Sequence, residues 1–488
     1  MQLWISVYLT QPSLDALSPS WQDEAAAPLA VLERETVLAV SSAARRLGVR
    51  PGMRKKGAGA IAPQTLFVQR DAARERQLLD AAALAMFQYT PELALGPDAS
   101  LLLGVGASLR AFGGPLTLSR RIRRTIAQLG CQARLGMAPT ALGAWLLAAR
   151  PAPGPRRVLR PAALARRWAG LPCQLLPPAR AHLVWLDGIG CRTLADLMRL
   201  PRAGLQRRCG AALLQALDHA RGQAPELYEW VRPPLDFSAR LELLARIDHA
   251  PLVLLVARRL VQQLAGWLEA VHASVTAVTL ELEHERGRHA RPPTPLCIAL
   301  ASPGWHADRL LRLLKEHLER LVLPAPVIAV ALRAGGIAPR EVPSTRLFAD
   351  PGGTPADRGR LLELLAARLG AGRVLGAAPQ ADHRPEAANR WQPALDPPAA
   401  GADAPEALDR PLWLLPSPLP LSMRQERPCY GTPLRLLRGP ERIENGWWDG
   451  APIARDYFVA ESETAIRYWI YLDQALDEPR WFLHGLYA

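Results

Sequence analysis

Between residues 236 and 335 the hydrophobic period changes in a fixed order: strand-like at 237–243, helical at 252–271, strand-like at 274–284 and about 293–301, helical at 307–321, and strand-like again at 327–334. A βαββαβ order in so short a span leaves few topologies. The expectation is a split, ferredoxin-like domain whose two helices cover one face of a four-stranded sheet. A chain of 488 residues is too long for one core, so this unit has neighbours.

Residues 1–150 alternate strand and helix signals. Strands are expected at 3–9, at 29–32 and 36–40 around the turn Glu33-Arg34-Glu35, at 100–105 and at 132–137; helices are expected at 71–89, 116–130 and 140–150. This is an α+β domain. A Pro-rich break at 151–157 opens a helical unit running to 232, in which Gly188-Ile189-Gly190 and Thr193 sit between two short helices. Such a hairpin brings backbone N–H groups to a phosphate, without regard to base sequence. Beyond 335 comes a Pro-rich linker to about 420 with one helix at 356–369, and then, at 421–488, a β-rich module with turn signals at Gly439-Pro440 and Asn445-Gly446 and strands at 455–460 and 466–472. Six of the fourteen tryptophans lie from Trp391 onward, which suits either a core or a protein interface.

The net charge of +14, mostly arginine, points to polyanions as partners. Six cysteines with no C-x-x-C pair argue against a zinc knuckle or a disulfide framework and read as core residues of a reducing cytosol. No apolar run reaches membrane-spanning length, and a cytoplasmic, nucleoid-associated protein is expected. There is no Walker loop, G-x-G-x-x-G or H-E-x-x-H.

The segment VLAVSSAARRLGVRPGM (37–53) breaks from strand into a basic helix, and from Ser41 to Met53 it resembles the fingers pattern of Y-family translesion DNA polymerases. Arg45 falls where that family places an arginine on the incoming triphosphate, and Ser42 where it places a tyrosine. The stretches Ala62-Pro63-Gln64-Thr65-Leu66, Gly136-Met137-Ala138-Pro139-Thr140-Ala141, the hairpin at Gly188 to Thr193 and the entry at Phe237 extend the resemblance over about residues 1–335. It implies a multidomain α+β architecture: a palm and fingers at 1–150, a helix-hairpin-helix thumb at 151–232, a βαββαβ little finger at 236–335 and a tail with a small β-rich module. It also implies sequence-independent binding of primer–template DNA. Gly188, Ile189, Gly190 and Thr193, together with Arg45, Arg54, Lys55 and Lys56, are the candidate contacts; the alternative for the four basic residues is a solvated helix face or loop.

The carboxylates that nucleotidyl transfer requires do not come with the resemblance. Paired Mg²⁺ ions want carboxylate oxygens. Ser6 stands in the first strand where the family has a metal ligand, Ala99 follows Asp98 where it has a glutamate, and from Ala99 through Leu186 there are thirteen arginines and no Asp or Glu. Two divalent cations held by one carboxylate among arginines are electrostatically untenable. The expectation is therefore no metal, no cofactor and no catalysis, with Asp98 a turn residue after Gly96-Pro97; a catalytically active translesion polymerase is the rival. The tail stretches DHRPEAANRWQP (382–393), RPLWLLPSPLPL (410–421), GPERIENGWWDG (439–450) and RWFLHGLYA (480–488) resemble an inactive branch of the Y family found in bacterial mutagenesis cassettes. That resemblance implies an adaptor that binds the sliding clamp, a RecA-like accessory protein and an error-prone C-family DNA polymerase. The clamp peptide of that branch corresponds to Ser344-Thr345-Arg346-Leu347-Phe348, with Leu347 and Phe348 as the pocket-filling pair.

Overall fold

A computed structural model of the chain describes residues 2–19, 27–285, 290–340, 355–396, 410–476 and 478–487, without the side chains of Pro355 and Ala356. It falls into two compact units, Met1–Ala356 and Asp357–Ala488.

The first strand, Trp4–Leu9, is central to an antiparallel sheet ordered Leu93–Gly96, Ser100–Gly104, Trp4–Leu9, Ala133–Ala138. Alternation divides its faces. Leu3, Ile5, Val7 and Leu9 meet the helices Ala72–Met86 and Pro115–Gln128. Trp4, with Leu102 and Ala138, meets the helix Ala141–Ala149. That helix is apolar almost all round, which is why it is buried rather than laid on the surface, and Thr140 caps it by accepting from Gly143 N. Gly136 lets the helix touch the sheet backbone to backbone: a Cβ there would stand 2.0 Å from Ala144 O.

The strands Thr36–Val40, Leu29–Glu33 and Leu66–Gln69 form a small sheet in that order, the last pair parallel, over a core including Leu32, Val37, Ala44 and Ala58. The expected hairpin at Glu33-Arg34-Glu35 is present, while Leu66–Gln69 and Leu93–Gly96 are strands the periodicity did not announce. Helices Pro161–Trp168, Leu183–Gly188, Leu194–Arg199, Arg202–Cys209 and Ala211–Arg221 pack around Trp168, Leu186, Leu197 and Leu213.

The βαββαβ order is observed: Ser238–Ile247, Ala250–Ala270, Ala273–His284, Thr294–Gly304, Ala307–Arg320, Val327–Pro339. Both crossovers are split, but the strand order corrects the ferredoxin-like expectation. The sheet runs third, second, fourth, first, so the second and fourth strands are central where a ferredoxin-like sheet centres its first and third. The long helix Ala250–Ala270 packs on Ala72–Met86, and at Gly266 an added Cβ would lie 1.9 Å from Leu84 O. Gln88 Nε2 donates to Gln262 Oε1 (3.0 Å), and Gln262 Nε2 to Gln128 Oε1 (2.8 Å), along the same seam.

In the second unit a five-stranded antiparallel sheet runs Trp413–Pro420, Arg480–Leu486, Arg467–Asp473, Ile453–Glu461, Arg435–Asn445. Two expectations need correcting. Residues 413–420, read as linker ahead of a boundary at 421, are an edge strand, the one place in a sheet that tolerates three prolines without N–H groups. Gly439-Pro440 is not a turn but lies inside the strand Arg435–Asn445, where the pairing register shifts between Arg438 and Glu441. The core is aromatic: Tyr457 stacks on Trp469 at 4.0 Å and shares a 2.8 Å hydrogen bond with Nδ1 of buried His484. Burial pushes the His484 imidazole below its ordinary value, against the opposing pull of Glu386. The unfolded chain then binds the proton more readily, so stability is full above about pH 6.5 and is lost on acidification below it. The unfolding temperature of this unit is expected to fall between about pH 7.5 and pH 5, with the slope reduced in His484→Gln. Thermal scans across that range check it.

Candidate functional site

The small three-stranded sheet and the central sheet border a cleft of about 570 Å³ lined by Tyr8, Thr10, Arg45, Asp98, Ala99 and Arg134, among others. Arg45 is carried by the short helix Ser42–Arg46. Ser41 fixes the start of that helix, its Oγ accepting from Ala44 N (3.2 Å) and from Leu29 N (3.0 Å) of the adjoining strand. The structure thus brings together two residues that the sequence singled out 53 positions apart, Arg45 and Asp98.

The cleft's two acids are already matched. Asp98 accepts from both Nη atoms of Arg180, Nη1 at 2.8 Å, and Arg180 Nε donates to Gln174 O at 3.2 Å. Glu75 accepts from Arg70 Nε and Nη2, each at 2.8 Å, and from Ser13; the Arg70 bonds come first in holding its carboxyl below the usual range. Among the cations, Arg134 lies over the Tyr8 ring at 5.5 Å and donates to Arg150 O (2.6 Å), whereas Arg45 is exposed. The cleft therefore presents exposed positive charge above neutralised carboxylates, a surface that suits phosphate oxygens.

Ser6, at the expected ligand position of the first strand, is fully buried, and among the described residues its Oγ has no hydrogen-bond partner. Its register neighbours are Leu102 and Gly136, the residue against which Ala144 packs. Among the described residues no three His, Cys, Asp or Glu side chains converge in the manner of a metal site. Asp98 and Ala99 form the hairpin turn expected after Gly96-Pro97, with φ of 51° and 50°. A left-handed alanine is strained by about 1 kcal/mol. Ala99→Gly is accordingly expected to stabilise the protein by about 0.5–1 kcal/mol, measured by chemical denaturation.

Arg54, Lys55 and Lys56 are exposed at the start of the helix Lys55–Ile61, but none of them lines the cleft. The hairpin residues Gly188, Ile189 and Gly190 are exposed too, with open space around both glycines. Its amides, however, are spent inside the protein. Ile189, Gly190 and Cys191 N donate to Trp185, Asp187 and Leu186 O; Arg192 and Thr193 N donate to the Asp196 carboxylate; Leu194 and Ala195 N donate to Leu171 and Ala169 O. Thr193 and Asp196 form a reciprocal capping box. As folded, the hairpin offers a phosphate its side chains, such as exposed Arg192, and not its backbone. Leu347 and Phe348, with the rest of 344–348, lie outside the described residues.

Sequence reasoning missed Arg180, 82 residues from Asp98, and no local signal marks it. The four tail stretches, by contrast, come together in the second unit. Arg384 bridges Asp382 (2.7 Å) and Asp449 (2.5 Å), Asn445 Nδ2 donates to Asp382 (2.9 Å), and Trp413 pairs with Leu486 across the sheet. The loop so clamped presents Trp447 and Trp448, 72% and 58% exposed, to solvent.

Residues 22–149 match the impB/mucB/samB family. Protein ImuB of Caulobacter vibrioides strain NA1000 is 29% identical over 470 residues, 91% of this chain and all of that protein. DNA polymerase IV 2 of Mesorhizobium japonicum is 28% identical over 211 residues, 42% of this chain and 48% of that one. A superposition on DinB from Sulfolobus solfataricus covers 69% of this chain and all of that one at 17% identity and a TM-score of 0.37, too loose to carry an argument. Along nearly its whole length the chain is similar to Protein ImuB, and its residues 22–149 carry the match to the impB/mucB/samB family.

Proposed function

We propose that the chain is a non-catalytic polymerase homologue that holds primer–template DNA and links the sliding clamp, a RecA-like accessory protein (ImuA) and an error-prone C-family DNA polymerase during damage-induced translesion synthesis. The observation that carries this reading is the state of the cleft: Asp98 is committed to Arg180, Ser6 is sealed beneath the helix Ala141–Ala149, and Arg45 is exposed. A groove of that kind grips phosphates and has no carboxylate set with which to join nucleotides. DNA contact is assigned to Arg45, to Arg54, Lys55 and Lys56, and to the side chains around Gly188, Ile189, Gly190 and Thr193.

Charge supports a division of labour. From Asp357 on there are fifteen arginines and no lysine against eighteen acids, so the whole positive excess lies in the first unit. The second unit has no net positive charge with which to seek DNA. It has instead exposed indoles on a clamped loop, the residue type that anchors protein interfaces. The clamp is assigned to Leu347 and Phe348, and the two other partners to the tail.

Removing residues 336–488 is the test. Damage-induced mutant frequency in cells should fall to the level of a deletion strain, while DNA affinity in vitro changes less than about threefold. Undiminished mutagenesis by the truncated protein would refute the adaptor, and capture experiments with the 336–488 fragment against each partner apportion the contacts.

A further inference from the structure

The sheet of the βαββαβ domain has an open edge. Its first strand, Ser238–Ile247, pairs with Val327–Pro339 on one side and with no strand among the described residues on the other. A cleft of about 720 Å³ runs along it, and five consecutive residues, 238–242, line that cleft. Neighbouring side chains of a strand point to opposite faces, so an unbroken run of lining residues marks the strand's edge. The facing wall is the helix Ala72–Met86, and Arg259 joins the lining from the helix Ala250–Ala270.

One cation of this cleft lacks a hydrogen-bonded partner for part of its guanidinium. Each acid on its wall has a cation: Asp71 and Glu242 meet Arg74 at 3.5 and 2.9 Å, and Asp80 meets Arg76 at 3.5 Å. Arg240 is matched to Glu283 and Glu242. Burial works against the Arg259 charge and buried Asp15 favours it only through space; Arg259 is 5% exposed, and among the described residues its Nη1 finds no hydrogen-bond acceptor. A buried guanidinium in this condition is costly until an anion meets it, and its planar fork fits a carboxylate.

We propose that this cleft receives an extended acidic segment of a partner protein, which adds a strand along 238–242 and seats a carboxylate on Arg259. Main-chain hydrogen bonds supply the affinity in this mode of recognition, and the charged pocket supplies the selectivity. A nucleic-acid backbone fits less well. It cannot match the alternating N–H and C=O groups of a strand edge. The inference is independent of the adaptor reading, because peptide binding and mutagenesis are separate measurements.

The test uses the full-length protein and a short acetylated, fluorophore-labelled peptide alternating valine with glutamate, followed by anisotropy and by amide hydrogen exchange. Saturable binding is expected, with slowed exchange at 238–242. Affinity should drop at least about tenfold in Arg259→Gln, and by a similar factor when the peptide's glutamates become glutamines. The glutamine peptide keeps the test decisive even where the variant folds poorly. The proposal is overturned by equal binding of the two peptides, by no saturation at millimolar peptide, by displacement of the peptide by a single-stranded oligonucleotide, or by concentration-dependent protection of 238–242 without peptide, which would mark a second copy of this chain as the occupant.

Discussion

Ser6→Asp is expected to destabilise the first unit by about 3–5 kcal/mol, the cost of leaving a buried charge without a partner. The side chain at this position is fully buried, lies beside Gly136 and Leu102, and faces a helix whose Ala144 carbonyl oxygen would stand 2.0 Å from a Cβ on Gly136. Burial would raise the new carboxyl's pKa, so the penalty should be full at neutral pH and shrink as pH falls toward the unfolded value near about 4. Denaturant unfolding at pH about 7 and pH about 4.5 measures both parts. A variant as stable as the parent at neutral pH would mean that position 6 is open, as a metal ligand's would be.

Gly266→Ala is the second large effect, and its sign is the informative part. Alanine ordinarily stabilises a helix by about 1 kcal/mol over glycine. At Gly266 the added Cβ would stand 1.9 Å from Leu84 O, on backbone that cannot swing aside, and a loss of about 1–3 kcal/mol is expected. Gly204 is the internal control: it sits in the helix Arg202–Cys209 with nothing within 4 Å of an added Cβ, and Gly204→Ala should gain up to about 1 kcal/mol. Thermal unfolding of the pair reads this directly. If both substitutions stabilise, the helix Ala250–Ala270 does not rest on Ala72–Met86.

What the sequence made legible follows its range of interaction. Elements written in local period were readable to within a few residues, from Trp4–Leu9 to the βαββαβ order, because one buried face imposes that period. Strand order was not, since residues 274–284 carry the same pattern whether their sheet position is central or at an edge. The prolines of 413–420 read as linker because their lost N–H groups matter only inside a sheet, and this strand lies on its rim. In the site, Arg45 was legible from a motif, and the turn at Asp98 from its glycine and proline. The Arg180 clasp on Asp98 spans 82 positions and left no trace in either segment. The occupied amides of the hairpin were readable in principle: Thr193 followed three residues later by Asp196 is a capping box, and a carboxylate already stands where a phosphate would.

The central claim is that this polymerase-like cleft binds without catalysing. Single-nucleotide primer extension by the full-length protein, on primer–template DNA with Mg²⁺ or Mn²⁺ and all four deoxynucleoside triphosphates, tests it most directly. The account predicts a salt-sensitive complex with the DNA, weakened by Arg45→Ala, and no extension above background at any metal concentration. Robust extension that disappears in Asp98→Asn would contradict it.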